Sequence, residues 1–189
     1  MKRWNLIIEE KAQQILNEFS YSGGVVDVEK IANSHDIKVV RHNFNNNDLN
    51  LLDQVSGALV VKDGKRTIGV NIHEDEKRQR FTIAHELGHY FLDHLNGAEI
   101  ILDTKRLYRN LNSGMGVNKQ EVEANAFAAA LLMPKEEIIK ALKVESQRTD
   151  IIYDHDIIAS LAEKFQVSQI SMSIRLNRLG LIEIDNYPF

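Results

Sequence analysis

The chain of 189 residues contains no cysteine. Disulfide bonds, thiol nucleophiles and thiolate metal ligands are therefore excluded, and so is latency through a pro-segment thiol held on a metal. The lack of cysteine fits a reducing cytosol. No apolar run is long enough to cross a membrane, and Met1–Glu10 turns acidic too early for a secretory leader. A cytoplasmic protein is the expectation. An excess of positive charge is also missing. The 23 Lys and Arg stand against 27 Asp and Glu, a formal net charge of −4, so nothing pulls the whole chain toward nucleic acid. What remains is an ordinary hydrophobic content and a length suited to one globular domain with a sizeable core.

Within that plain composition stands His85-Glu86-Leu87-Gly88-His89, an H-E-x-x-H pattern. Residues four apart share a helix face. His85 and His89 can therefore reach one metal ion, with zinc–imidazole distances of about 2.0–2.1 Å. Glu86 projects beside them, placed to take a proton from an attacking water and later hand one to a leaving group. The flanking run Arg80–Leu92 is strongly apolar, and Phe81, Ala84, Leu87, Gly88, Phe91 and Leu95 recur at helical spacing as a core-facing stripe. Imidazoles on a buried helix need partners, and a metal ion is one. The pattern points to metal-assisted hydrolysis; a surface helix that happens to carry two histidines fits this context poorly.

One helix supplies only two ligands. The metzincin extension, with Gly and His three and six residues further on, is absent because Leu92 and Leu95 stand there. On helical geometry His94 points to another face and reads as a polar residue at the helix end. The segment Lys119–Pro134, rich in alanine and leucine, reads as a second helix, with Pro134 marking its end or the start of the next turn. Glu121 and Glu123 lie near its start, where the macrodipole favours acids whatever their function. Either could complete a two-His, one-Glu site. Glu121 is preferred because it shares a face with Asn125, which could then orient a metal-binding histidine. Glu123 shares its face with Phe127 and points toward packing. Zinc is the expected ion, although manganese or iron suits the same ligands.

Together, Arg80-Phe81-Thr82-Ile83-Ala84-His85-Glu86-Leu87-Gly88-His89 and Glu121-Val122-Glu123-Ala124-Asn125-Ala126-Phe127-Ala128-Ala129-Ala130-Leu131-Leu132-Met133-Pro134 resemble the ImmA/IrrE family of metallo-endopeptidases. Weaker similarity covers Val26–Ala32 and the hairpin before the first motif. The pair also resembles the wider gluzincin pattern, in which a Glu-x-x-x-Asp helix gives the third ligand; here Asn125 stands in the Asp place. The resemblance implies endoproteolysis of a helix-turn-helix repressor encoded nearby, which releases mobile-element or stress genes. The expected function is thus a zinc-dependent endopeptidase with Glu86 as general base and His85, His89 and Glu121 on the metal. The alternative is a non-proteolytic regulator that grips a repressor, or DNA through its C-terminal helices, around a structural metal. A structural site needs no acid between its ligands and is usually closed by four of them.

The expected fold class is α+β: a mostly helical zincin-like metalloprotease core with a small antiparallel sheet and a C-terminal helical pair. Residues 1–150 would form the peptidase domain, and 151–189 a helix-turn-helix-like pair packed on the same core. Leu6, Ile7, Ala12, Ile15, Leu16 and Phe19 outline an N-terminal amphipathic helix, broken at Ser22-Gly23-Gly24. Asp27 caps a short helix over Val28–Ser34. Ile37–Arg41, Ser56–Lys62 and Arg66–Ile72 read as strands, the last two joined at Asp63-Gly64. One strand of that hairpin is a candidate sheet edge for an extended substrate, or else the hairpin only covers the core. Asn43–Asn50 reads as a loop, Glu74–Arg80 as a connector, and Asn96–Asn118 as a long irregular stretch with a flexible Asn112–Gly116. Tyr108, Arg109, Tyr153 and His155 are equal candidates for an oxyanion donor, a role the metal can also fill. Asp156 would cap Ile157–Phe165, and Ser168 a helix through Leu179 that Gly180 ends. Ser171, Ser173, Arg175, Asn177 and Arg178 make a thin DNA-reading set. The pair is read instead as closing the protease core or docking the substrate.

Overall fold

The computed structural model describes residues 3–44, 55–97, 99–104, 119–146 and 154–182. In chain order they form α1 (Arg3–Glu18), α2 (Val28–Ser34), β1 (Ile37–His42), β2 (Val55–Lys62), β3 (Lys65–Asn71), α3 (Glu76–Phe91), β4 (Ile100–Thr104), α4 (Lys119–Leu132), α5 (Lys135–Ser146), α6 (Asp154–Lys164) and α7 (Gln169–Arg178). The fold class is α+β. Local chemistry sets several boundaries. Asp27, Asp75 and Ser168 each accept a backbone N–H three residues on, from Lys30, Arg78 and Ser171, and such caps are worth about 1 kcal/mol each. Asp75 starts α3 early, so residues 76–80 of the expected connector are the first turn of the helix. The β2–β3 hairpin turns through Asp63 and Gly64, both at positive φ, as the twist of a two-residue loop requires.

The chain divides into two compact units, residues 27–128 and residues 1–26 with 129–189; α4 runs from the first into the second. In the 27–128 unit the strand order is β1-β3-β2-β4. The sheet is mixed rather than antiparallel, because β1 runs parallel to β3 while β2 pairs antiparallel with β3 and β4. No tight turn joins β1 to β2, so nothing forces them to be antiparallel neighbours. Both hairpin strands are interior, which rules out the expectation that one of them is an edge; the edges are β1 and β4. Strand β4 itself falls within a stretch read as irregular, since five residues between polar segments carry little alternation to detect. The loop at 45–50 and the segment at 105–118 lie outside the described residues.

Helix α3 packs across β2 and β3. Its centre is not an amphipathic stripe: Thr82 through His89 are all buried, while Phe81, Phe91 and Leu95 are only half-buried. A helix buried all round belongs in a core. Ile31, Ile37, Leu59, Ile68, Val70, Ile83, Leu87 and Phe127 form the apolar interior of this unit.

The second unit buries Ile8, Ala12, Ile15 and Leu16 of α1. Leu6 and Ile7, expected to face inward, are exposed; the inward row instead starts at Ile8 and continues by steps of three and four. Pro134, read as an end or the start of the next turn, is followed directly by α5, whose helical course was not itself foreseen; proline suits the start of a helix. Helices α6 and α7 pack together, and α6 begins at Asp154, ahead of the expected Asp156 cap. Arg175, counted above among possible DNA-reading residues, is 2% exposed, as Ser173 is 3%. Its guanidinium grips both carboxylate oxygens of Glu9, with Nη2 to Oε2 at 2.8 Å, and donates through Nε to the Met133 carbonyl at 3.1 Å. A buried cation of this kind is tolerated because it is paired in bidentate fashion. Glu9→Ala therefore leaves Arg175 uncompensated, and urea unfolding should show a loss of about 3 kcal/mol. A change below about 0.5 kcal/mol would contradict that account.

Candidate metal centre

The geometry of the site begins at Gly88. A Cβ added there would come 3.0 Å from the Ala124 Cα, 3.1 Å from the Ala124 carbonyl and 3.3 Å from the Phe127 Cβ. Two of these three are backbone atoms. The missing side chain lets α3 and α4 touch nearly backbone to backbone. The Phe91 and Phe127 rings, with centroids 5.7 Å apart, extend the same contact.

At this crossing the donors converge. The Nε2 atoms of His85 and His89 are 3.0 Å apart. The Glu121 carboxylate lies 3.2 Å from His85 Nε2 through one oxygen and 3.4 Å from His89 Nε2 through the other. All three residues are buried, and they form a group that could hold a metal ion. Ligand atoms around one tetrahedral zinc, at about 2.0–2.1 Å from it, stand about 3.3 Å from each other. The two nitrogens at 3.0 Å, each with one Glu121 oxygen at 3.2 or 3.4 Å, come near that spacing, and one ligand atom from each residue lies within 4.8 Å of the others. Burial on its own would raise the Glu121 carboxyl, but hydrogen bonds and charge from His85 and His89 prevail and bring it down to about 2. The donor set is two imidazoles and one carboxylate anion, and it fits a divalent cation.

The other ring nitrogens are held as well. His85 Nδ1 is 3.1 Å from Asn125 Oδ1. An amide oxygen only accepts, so Nδ1 carries the proton and Nε2 keeps its lone pair for the centre. His89 Nδ1 is 3.1 Å from Nδ1 of His94, whose Nε2 is 3.4 Å from a Glu123 oxygen. Burial and the neighbouring His89 lower the His94 imidazole from its ordinary value, against the opposing pull of Glu123 and Glu121. His94 therefore does not point away, as helical projection had suggested. Projection fails because the helix stops at Phe91. Asp93, at φ +56, turns the chain in a left-handed conformation. The Asp93 N–H then meets the Tyr90 carbonyl at 3.2 Å, and the His94 N–H meets that of His89 at 2.9 Å, a Schellman closure. The aspartate at this turn was the one available sign, since Asp tolerates that conformation. Glu123, expected to pack, meets His94 and Lys119. Of the oxyanion candidates, Tyr108, Arg109 and Tyr153 and the side chain of His155 lie outside the described residues.

Glu86 is fully buried one residue after His85. On its sheet side stands Gly57, next to a register shift in β2 between Val55 and Gly57. Asn71 donates to the Val55 carbonyl at 3.0 Å, and Arg78 to Ser56 Oγ at 3.3 Å, so the irregular segment is tied down. A Cβ on Gly57 would fall 2.3 Å from Thr82 Cγ2 and 3.0 Å from Glu86 Oε1. The glycine makes room for the acid.

Two imidazoles and a carboxylate converging from two helices, with a second carboxylate beside them, make a metallopeptidase-type site. Sequence comparison agrees. The chain belongs to the family described as the IrrE N-terminal-like domain (Peptidase_M78), which matches residues 32–177. It is 29% identical over 123 residues to "Metallopeptidase ImmA" of Bacillus subtilis (strain 168), covering 64% of this chain and 68% of that protein. Among solved structures, a "Mycobacterium tuberculosis transcriptional regulator" superimposes with a TM-score of 0.56 at 19% identity. That match covers 90% of this chain but only 46% of the regulator, so the likeness is one of fold, and the chain spans about half of that protein.

Two substitutions test the packing. Gly88→Ala gains helix propensity of about 1 kcal/mol but meets backbone that cannot yield. We expect net destabilisation of about 1–2 kcal/mol by urea unfolding, together with weaker divalent-metal binding as α4 is pushed off. A Gly88→Ala chain of unchanged metal affinity would count against the crossing as the source of the site. Gly57→Ala should cost about 1–3 kcal/mol of stability by urea unfolding, because the added methyl meets Thr82 and Glu86, and it should weaken metal binding less than Gly88→Ala does. Equal losses of metal affinity in the two variants would contradict this.

Proposed function

We propose that the protein is a zinc-dependent endopeptidase that hydrolyses a peptide bond in a regulatory protein. Its substrate would be a helix-turn-helix repressor of a mobile element or stress regulon. The observation that carries the reading is the convergence of His85, His89 and Glu121 within ligand spacing, next to the buried Glu86. In this reading the three residues hold zinc, and Asn125 fixes the His85 tautomer. Bound zinc supplies Lewis-acid polarisation of the scissile carbonyl. Glu86 takes the proton of the attacking water and delivers it to the departing amine nitrogen. Burial beside Gly57 and Thr82 holds its carboxylate in one place, so little reorganisation accompanies the transfer.

Substrate binding follows from the sheet. Of the two edges, β4 is the one paired with β2, and its Asp103 stands opposite Gly57, the residue against Glu86. We read β4 as the strand to which an extended peptide adds, its backbone groups supplying affinity. The C-terminal helices are read as closing the protease or docking its protein substrate. Contact with DNA is disfavoured because Arg175 and Ser173 are buried. Among the described residues no helix is long and apolar enough to cross a membrane, and the absence of cysteine suits a cytoplasmic setting.

The test is Glu86→Gln. It should keep zinc and fold while cleavage of repressor-like proteins encoded at the same locus, read by mass spectrometry, drops by about 10²–10⁴-fold. A chelator should abolish cleavage by the parent chain, and added zinc restore it. Undiminished cleavage by the Gln variant would rule out the general-base assignment.

A further inference from the structure

Each donor histidine has a second nitrogen, and the two are anchored differently. For His85 the partner is the amide of Asn125. For His89 the partner is another imidazole. If His89 Nε2 faces the centre with its lone pair, its Nδ1 carries a proton, and a buried N–H without an acceptor is costly. The acceptor at 3.1 Å is His94 Nδ1. His94 must then carry its own proton on Nε2, which lies 3.4 Å from Glu123 Oε2. Every group in the series donates in one direction: His89 to His94, and His94 to the Glu123 carboxylate. The reverse order would place a proton on His89 Nε2, among the donors.

The backbone fixes this arrangement independently of the rings. The turn through Asp93 brings the His94 N–H to the His89 carbonyl. The His94 carbonyl accepts from Gln120 Nε2 at 3.2 Å. His94 is 8% exposed, and Gln120 and Glu123, its two side-chain partners on α4, flank Glu121. Helix α4 thus carries both a ligand and the anchor of the imidazole that faces it.

We infer that His94 and Glu123 form a positioning pair that sets the tautomer and ring orientation of His89, so that the pair tunes metal affinity without touching the metal. The inference rests on the reading of His85, His89 and Glu121 as a zinc site. It extends a general pattern in which groups behind a metal-binding histidine alter affinity by about 10- to 100-fold.

The experiment measures zinc affinity by competition with a chromophoric chelator, alongside thermal unfolding of the metal-free chain. His94→Leu removes the acceptor while keeping an apolar filling. His94→Asn keeps an amide oxygen near the position of the ring Nδ1. We expect His94→Leu to bind zinc about 10- to 100-fold more weakly and His94→Asn to recover most of that loss, with similar metal-free stabilities. Wild-type affinity in His94→Leu overturns the inference, as does a His94→Asn chain as weak as His94→Leu, which would show that ring packing alone matters. Should His94→Leu fail to fold, Glu123→Ala serves in its place, with about tenfold weaker binding expected and unchanged binding overturning the pair. His85→Ala separates the two levels. If wild type and His85→Ala bind zinc alike, the site reading itself fails. If His85→Ala loses zinc and His94→Leu does not, only the positioning role falls.

Discussion

The near-contact of two helix backbones at Gly88 and Ala124 is the constraint on which the site depends. His85 and His89 are paired by helical spacing alone, but a third donor has to be carried in from distant sequence. Glu121 can arrive within 3.2–3.4 Å of both imidazoles only if α4 lies closer to α3 than most side chains permit. The energetic logic runs opposite to helix propensity. Glycine in the middle of a helix costs about 1 kcal/mol relative to alanine, and here it sits in the stretch from Thr82 to His89 that is buried throughout. That cost is tolerable because it is small beside the overpacking a methyl would cause against backbone. The same device recurs on the other flank of α3, where Gly57 leaves room for Thr82 and Glu86. Two glycines in two different elements thus determine how near Glu86 and the His85, His89 and Glu121 cluster stand to their neighbours.

Burying three imidazoles and two carboxylates in this neighbourhood would be prohibitive for isolated groups. His85, His89, His94 and Glu121 each answer another of the set. Glu121 is drawn toward its ionised form by His85 and His89, against its own burial. Asn125 and His94 occupy the outer nitrogens of the two histidines, and Glu123 stands behind His94. A single helix, α4, delivers Glu121, Glu123 and Asn125, and its rotation is thereby set by several polar contacts as well as by Phe127. In the function proposed above, such preorganisation would help, because side chains held in place need not move when charge develops.

Parts of this were legible in the residues. The H-E-x-x-H spacing, the i, i+4 relation of Glu121 to Asn125, and the caps at Asp27 and Ser168 are local rules, and the expected elements form where those rules operate. The sheet was harder. That β1 runs parallel to β3, and that both hairpin strands are interior, depends on pairings between remote segments, which periodicity does not encode. Strand β4 is too short to announce itself. His94 illustrates a third kind of failure. Projecting a helix beyond its last turn assumes that the helix continues, and the chain instead reverses at Asp93. A residue five positions past His89 becomes its neighbour only because the helix ends. Leu6 and Ile7 show the complementary case: apolar residues at the right spacing that the fold leaves exposed.

Arg175 carries the argument to the choice between protein and nucleic acid as partner. From sequence, an arginine on the second helix of a two-helix pair is ambiguous, because a basic residue serves equally well to contact phosphate or to neutralise a buried acid. The fold resolves it toward the latter. With Arg175 committed to Glu9 and to the Met133 carbonyl, and Ser173 buried as well, Asn177 and Arg178 are the exposed members of the set once considered for DNA, and Ser171 is half-buried. So thin a set offers few of the phosphate contacts that duplex binding relies on, in a chain whose net charge is negative. The burial of Arg175 and Ser173 is therefore one reason the function proposed above takes a protein, and not nucleic acid, as its partner.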